Sequence, residues 1–177
     1  MQVSIASFTP THPGPTAMTS CRPKGGTAPE DHYPTLPLDE ICALSVKDIA
    51  EDDAVLFLWV PSPMYKEANA VIDAWGFEYK ASIIWDKVRQ NFGHYHSVNH
   101  EFVLICTRGV CTPFNPIQFD SVVVEEKTEH SRKPAVIAER IDALYPDGAR
   151  IELFCRGAPR PGWDAWGNES EPAQVGS

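Results

Sequence analysis

The residues best suited to ligand chemistry lie near the carboxyl end of the chain. Ile151–Cys155 is an apolar run that predicts a buried strand, and it contains one acid, Glu152, whose carboxylate needs a partner or a ligand. Glycines and prolines directly after it break the chain, so Arg156 lies on a loop at the strand's carboxyl end. Ligands bind at that edge of open α/β sheets. We therefore expect this loop and the turn Gly167-Asn168-Glu169 to form half of a nucleoside-binding crevice.

Two further charged residues have both a ligand-binding and a purely structural explanation. Lys133 precedes Pro134 at a predicted helix start, where an ammonium and backbone amides can hold a carboxylate or phosphate. The alternative is a solvated lysine at a helix end. Likewise, Arg156 could simply neutralise Glu152 within the fold.

A histidine-rich loop offers a third kind of chemistry. His94, His96, His100 and Glu101 could together bind a metal, as in a metal-dependent hydrolase. Their spacing matches no standard helical or finger arrangement, and polar aromatic loops contact organic ligands more often than zinc. We therefore assign no metal to the chain.

The elements that must position these side chains alternate between strands and helices. Ala54–Val60 is apolar on both faces and predicts a central, parallel strand. The other expected elements are a helix over 62–75 ended by Gly76, strands over 79–86, 101–107 and 121–124, a loop over 87–99, and a helix over 135–145. This order predicts a doubly wound α/β sheet.

Composition limits the class of protein. The 177 residues are 43% apolar, which suits one domain, and no apolar window predicts a membrane span. Five cysteines without metal-like spacing predict reduced thiols and a cytoplasmic protein. The net charge of −9 is unusual for a protein that handles nucleic acid. Phosphate contacts would have to come from Lys87-Val88-Arg89, from Arg132-Lys133 or from a partner chain in a homo- or hetero-oligomer.

From His32 to Glu169 the chain resembles the N6-adenine methyltransferase family that includes the catalytic subunit of the eukaryotic messenger-RNA methyltransferase and phage and bacterial relatives. The resemblance covers about four-fifths of the chain. The segments that carry it are H-Y-P-T-L-P-L-D-E-I at 32–41, V-L-F-L-W-V at 55–60, A-W-G-F at 74–77, I-I-W at 83–85, N-H-E at 99–101, T-R-G at 107–109, E-H-S-R-K-P at 129–134, E-L-F at 152–154 and R-P-G-W-D-A-W-G-N-E at 160–169.

This resemblance implies a Rossmann-like fold with permuted motif order and methyl transfer from S-adenosylmethionine to the exocyclic amine of adenine. Lys133 would hold the donor's carboxylate, and Tyr33 and Glu101 would lie toward the acceptor adenine. The remaining donor-binding residues implied by the resemblance are Glu152, Phe154, Arg156, Asn168 and Glu169.

The family's catalytic tetrapeptide, Asp-Pro-Pro-Trp, is missing from this chain. Its expected place, about twenty residues before His32, holds Thr11, His12, Pro13 and Gly14, so no catalytic residue is intact. The aspartate and a proline carbonyl must hold the amine in line with the methyl group, and these four residues cannot. If the codons are read one base earlier, Pro10–Gly14 permits Asp-Pro-Pro-Trp. We therefore hypothesise that the chain is translated out of frame up to a point between Cys21 and Thr27.

The sequence predicts three segments and leaves two candidate functions. Residues 1–27 form an irregular segment, 28–170 the methyltransferase domain and 171–177 a disordered tail. With the amino-terminal segment out of frame, the sheet is expected to lack a central strand. We expect an adenine methyltransferase acting on nucleic acid, with DNA favoured over RNA. The alternative is an inactive family member that serves as a binding or scaffold subunit.

Overall fold

The fold is organised around a mixed seven-stranded sheet. The computed structural model describes residues 2–7, 36–91, 95–113, 115–127, 133–167 and 169–170, with only the backbone path for 2–7, 90–91, 156–157 and 169–170. The sheet order is β5-β3-β4-β2-β1-β6-β8. The strands are β1 (Gln2–Ser7), β2 (Ala54–Pro61), β3 (Glu78–Asn91), β4 (Val98–Arg108), β5 (Val122–Val124), β6 (Ala149–Leu153) and β8 (Asp164–Trp166), and β7 (Arg156–Gly157) pairs separately with β9 (Glu169–Ser170).

Strand β2 is buried on both faces, as its unbroken apolar sequence predicts. Its even-numbered residues, such as Leu56 and Leu58, pack against α3 (Tyr65–Ala74), whereas Phe57 and Trp59 pack in the cluster that contains α4 (Ala135–Leu144). Helices therefore cover both faces of the central sheet. The prediction of a central strand was correct. The prediction of parallel pairing holds for one neighbour only, because β2 runs parallel to β1 and antiparallel to β4.

The β3–β4 hairpin is longer than expected. The sequence predicted a loop over 87–99, but β3 continues to Asn91 and β4 starts at Val98. The regular register of this hairpin breaks after Asp86, where Val88 has φ +63° and its N–H donates to Asp86 Oδ1 at 2.8 Å. A bulge of this kind turns a strand locally and redirects its side chains.

Strand β1 corrects two expectations about the amino end. Residues 2–7 are not irregular, and the sheet does not lack a central strand, because β1 pairs in parallel with both β2 and β6. Ser7, at the end of β1, is the register partner of Trp59. The segment 8–14, which includes the position expected for the catalytic tetrapeptide, lies outside the described residues.

The helices are short. Two of them, α1 (Leu38–Ala43) and α2 (Val46–Ile49), precede β2, and a 3₁₀ turn (Ser62–Met64) leads into α3. Gly76 follows α3 with φ +77°, the left-handed conformation that glycine adopts without strain after a helix. Within the described part of the chain, no helix has the length and apolar character needed to cross a membrane.

Candidate functional site

The first part of the site lies at the end of β2 and near the start of β4, on the face of the sheet that carries α4. Glu101, near the start of the antiparallel strand β4, is the register partner of Pro61 on β2 and of Trp85 on β3. Lys133 directly precedes Pro134, the N-cap of α4. The sheet and α4 therefore bring the carboxylate of Glu101 and the ammonium of Lys133 to the same edge.

Glu101 bridges two lysines. Its Oε2 accepts a hydrogen bond from Lys133 Nζ at 2.5 Å, and its Oε1 accepts one from Lys87 Nζ at 3.3 Å. The side chains of Lys87, Glu101 and Lys133 are 6%, 15% and 29% exposed, respectively. Lys133 is thus the member of the trio most open to a ligand. We call these three residues the lysine–glutamate trio.

Two buried tryptophans support the trio. The Nζ atom of Lys133 lies 4.8 Å from the centre of the Trp59 ring and 5.9 Å from that of Trp85. The two rings meet edge to face at 5.8 Å, and Trp85 Nε1 donates to Glu125 O at 2.8 Å. An aromatic face attracts a cation, so these rings favour a charged Lys133 at this position.

The pKa values of Glu101 and Lys133 both differ from their ordinary values. Burial alone would raise the pKa of Glu101, but the charges and hydrogen bonds of Lys133 and Lys87 outweigh it and lower that pKa below its ordinary value. Burial lowers the pKa of Lys133, and Glu101 opposes this effect, whereas the neighbouring charges of Lys87 and Lys127 add to it. Glu101 is therefore a carboxylate at neutral pH.

When all three groups are ionised, two ammonium ions face one carboxylate and leave a single excess positive charge. Lys133 has further N–H donors beyond the one that Glu101 accepts. One additional carboxylate could therefore bind beside Lys133 and neutralise the site. These hydrogen-bond donors and the excess positive charge fit a small ligand that carries one carboxylate.

A second group of candidate residues lies at the ends of β6 and β8. The pKa of Glu152 is raised by burial, although a hydrogen bond with Cys155 and the charge of Arg160 act in the opposite direction. Phe154 follows β6 with φ +61°, a conformation that is strained for a bulky residue, and its ring packs edge to face on Trp166 at 5.5 Å. Such strain is common where a backbone turns at a ligand site.

Gly167 is required by a close approach of two backbone segments. A Cβ atom at this position would lie 2.5 Å from the carbonyl oxygen of Cys155. Cys155 N also donates to Trp166 O at 3.1 Å. The missing side chain at Gly167 therefore serves the fold itself, because it lets the segments that follow β6 and β8 approach closely.

Asp142 on α4 holds the loop between β7 and β8. Its Oδ2 accepts from Arg160 Nη2 at 3.2 Å and its Oδ1 from Trp163 Nε1 at 3.1 Å, and Arg150 Nε lies 3.6 Å from Oδ1. This network ties the loop after β6 to the helix that Lys133 precedes.

The structure brings some of the predicted site residues together. Lys133 and Glu101, expected to serve the donor and the acceptor separately, are direct partners. Glu152 and Phe154 lie at the end of β6, and the backbones of Arg156 and Glu169 are register partners between β7 and β9. The remaining predicted residues lie outside the described part of the chain: Thr11, His12, Pro13, Gly14, Tyr33 and Asn168.

Three of the basic side chains expected to contact phosphate are instead paired with carboxylates. Lys87 and Lys133 bind Glu101, and the exposed Arg89 pairs with Glu126. Sequence reasoning missed Lys87 as a member of the site. Its position could have indicated this, because Lys87 lies two residues after the buried Trp85 and residues two apart in a strand share one face.

Histidines and carboxylates in the described residues do not form a metal-binding group of three or more. His100 packs edge to face on Phe102 at 5.1 Å, and both carboxylate oxygens of Glu101 accept hydrogen bonds from lysines. His96 is exposed, and His94 lies outside the described residues. This arrangement gives no support to a metal-dependent hydrolase.

Comparison of the amino-acid sequence with known proteins finds relatives in one family. The type II methyltransferase M.MunI of Mycoplasma sp. is 37% identical over 139 residues, 77% of this chain and 59% of that protein. The human N(6)-adenosine-methyltransferase catalytic subunit METTL3 is 32% identical over 148 residues, 77% of this chain and 25% of its own length. The Drosophila melanogaster N(6)-adenosine-methyltransferase MT-A70-like protein is also 32% identical over 148 residues, 77% of this chain and 24% of its own.

The chain thus spans less than two thirds of each of these relatives. The family description MT-A70 matches residues 17–169, a range that contains the lysine–glutamate trio and the β6 edge and begins after Gly14. This match confirms the resemblance inferred from the sequence. The chain belongs to the MT-A70 family.

Proposed function

We propose that the chain is, or derives from, an S-adenosylmethionine-dependent methyltransferase that acts on the N6 amine of adenine in nucleic acid. The observation that carries the proposal is the lysine–glutamate trio at the start of α4, in a chain of the MT-A70 family. The mixed sheet with helices on both faces is compatible with a Rossmann-like methyltransferase fold of permuted motif order.

The described residues fit the donor. Its carboxylate would be held by Lys133, which offers free N–H donors and a site with one excess positive charge. Its adenosine would lie toward the end of β6, where Glu152 and Phe154 lie. Arg156, Asn168 and Glu169 are assigned to the adenosine from the family resemblance. When bound, the donor supplies a methyl group on a sulfonium centre. The residues of the chain bind it, orient it and exclude water.

Glu101 and Tyr33 would lie toward the acceptor adenine. DNA is the acceptor we expect first, since the chain is more similar to the type II methyltransferase than to the adenosine methyltransferases. The protein would work in a reducing, cytoplasmic compartment, which suits Cys42, Cys106, Cys111 and Cys155, since none of these four described cysteines forms a disulfide. Assembly with a second, more basic chain would supply phosphate contacts.

The amino-terminal segment decides whether this chain can transfer a methyl group. We propose that the chain is translated out of frame from its start to a point between Cys21 and Thr27, because the earlier reading frame permits Asp-Pro-Pro-Trp over Pro10–Gly14 and the family match begins only at residue 17. Sequencing the gene tests this directly. Codons over Pro10–Gly14 that do not give the tetrapeptide in the earlier frame would refute it.

Methyl transfer from labelled S-adenosylmethionine to adenine-containing DNA and RNA tests the function. The chain is compared with a form whose amino-terminal segment is read in the earlier frame, and with the same form after replacement of the tetrapeptide's aspartate by alanine. We expect transfer by the restored form alone. Transfer by the chain as it stands would show that another residue holds the amine.

A scaffold subunit is the second candidate, and the missing tetrapeptide is the observation that favours it. Binding of the donor separates the two candidates. A methyltransferase lineage that retains Lys133 and Glu152 should bind S-adenosylmethionine, whereas a scaffold has no need to. Absence of transfer by both forms, together with absence of donor binding, would support the scaffold.

A further inference from the structure

Lys87 is a charged residue in an unusual place. Its side chain is 6% exposed on β3, and its Nζ atom lies 3.3 Å from Glu101 Oε1. Taking an ammonium ion out of water costs several kcal/mol unless a partner compensates. Glu101 is that partner, yet Glu101 already has Lys133 at 2.5 Å on its other oxygen. A single ion pair would need no second lysine.

The second lysine matters once a carboxylate ligand approaches, a step that rests on the proposed function. Lys133 and Glu101 alone would be neutral as a pair. A donor carboxylate beside that pair would place two carboxylates against one ammonium in a partly buried site, where like charges repel strongly. With Lys87 present, the two carboxylates face two ammonium groups.

We propose that Lys87 is a positioning residue, which acts through Glu101 to keep the site able to accept a carboxylate beside Lys133. It does not touch the donor. It holds Glu101 on the opposite side from Lys133, so that Glu101 keeps a cationic partner when Lys133 turns to the ligand. The bulge after Asp86 accompanies this placement, since β3 leaves its regular register directly before Lys87.

If Lys87 acts through its charge, it affects ligand binding in a way that a purely structural role would not. Lys87→Met should weaken binding of S-adenosylhomocysteine about tenfold or more, because the ligand then faces a neutral pair. Adding Glu101→Gln to Lys87→Met should restore much of that affinity, because Lys133 alone again presents +1. If Lys87 served only to stabilise the β3–β4 hairpin, a second substitution in that hairpin would not restore binding.

Isothermal titration calorimetry on the full chain measures these affinities. Lys87→Arg is the conservative variant and should bind nearly as well as the original chain. Lys80→Met, which removes an exposed lysine near the other end of β3, should leave binding unchanged. The ligand 5′-methylthioadenosine lacks a carboxylate, so its affinity should be insensitive to Lys87→Met. Equal losses for both ligands, or no rescue by Glu101→Gln, would overturn the proposal.

A second measurement does not depend on the proposed function. Carboxyl ¹³C NMR of glutamate-labelled protein follows the titration of Glu101 in the original chain and in Lys87→Met, with thermal melts to confirm that both are folded. The pKa of Glu101 should rise in the variant, because burial remains and one cation is lost. An unchanged titration refutes the role of Lys87, whereas failure of the original chain to bind S-adenosylhomocysteine refutes only the proposed function.

Discussion

At the scale of single residues, Glu152 carries a charge in an unfavourable place. Its pKa is raised by burial, only partly opposed by Cys155 and Arg160. A raised pKa means that the stabilising contribution of this group is complete below its unfolded pKa, near 4.5, and is lost as the pH rises through its folded value. At neutral pH the ionised carboxylate therefore weakens the fold. Retaining such a residue fits a role toward a ligand.

Glu152→Gln should raise the melting temperature by a few degrees at pH 7.5, because the amide keeps the volume and removes the half-buried charge. The gain should shrink as the pH falls toward 4, where Glu152 itself becomes protonated. Calorimetric melts at the two pH values measure the difference. Glu139→Gln, an exposed substitution on α4, is the matched control and should change little. A lower melting temperature for Glu152→Gln at pH 7.5 would mean that its ion pairing outweighs its burial.

At the scale of secondary-structure elements, β1 connects the two halves of the sheet. It lies between β2 and β6 and pairs with both in parallel, so its backbone groups have partners on either side. Without β1, two inner strands would each have an unpaired edge. The candidate site residues at the end of β6 and the trio beyond β2 therefore depend on β1 for their relative positions.

Ile5→Pro should destabilise the chain by about 1–3 kcal/mol, because proline cannot donate a ladder hydrogen bond in a central strand and leaves the acceptor on the neighbouring strand unpaired. Urea denaturation followed by circular dichroism measures the loss. Ile5→Val keeps the N–H group and the strand propensity, and should cost far less. Equal stability of the proline variant and the original chain would show that β1 does not hold the sheet together.

At the scale of the whole molecule, charge limits what the chain can do alone. Its net charge is −9, and Lys87, Lys133 and Arg89 are each paired with a carboxylate. Affinity for nucleic acid depends largely on phosphate neutralisation by free cations, and the number of such contacts sets how steeply binding falls with salt. We therefore expect phosphate contacts to come mainly from another chain.

The isolated chain should bind a DNA duplex with a dissociation constant weaker than about 10⁻⁵ M at 150 mM salt and with a shallow dependence on salt. Fluorescence anisotropy of a labelled duplex at several salt concentrations measures both quantities. Glu126→Gln, which releases the exposed Arg89, should strengthen binding slightly, whereas Glu78→Gln beside Lys80, near the opposite end of β3, serves as the control. Nanomolar affinity with a steep salt dependence would contradict this expectation.

Local sequence determined the elements and the family. The apolar run over Ala54–Val60 specified a central strand buried on both faces, and Gly76 marked the end of α3. The segments shared with the family identified it without any structure, and with it the candidates Lys133 and Glu152. These features depend on neighbouring residues or on short motifs, which is why they can be read along the chain.

Only the tertiary structure decided which side chains meet. Lys133 and Glu101 are 32 positions apart and pair because α4 packs on the sheet face that Glu101 shares. The sequence predicted that Lys87 belongs to a basic cluster that contacts phosphate, but in the extended strand β3 with its bulge this side chain is buried. Residues 2–7 had too little pattern to predict a strand, and they form one because β2 and β6 offer two edges to pair with. Register and strand order arise from contacts distant in sequence, so no local pattern encodes them.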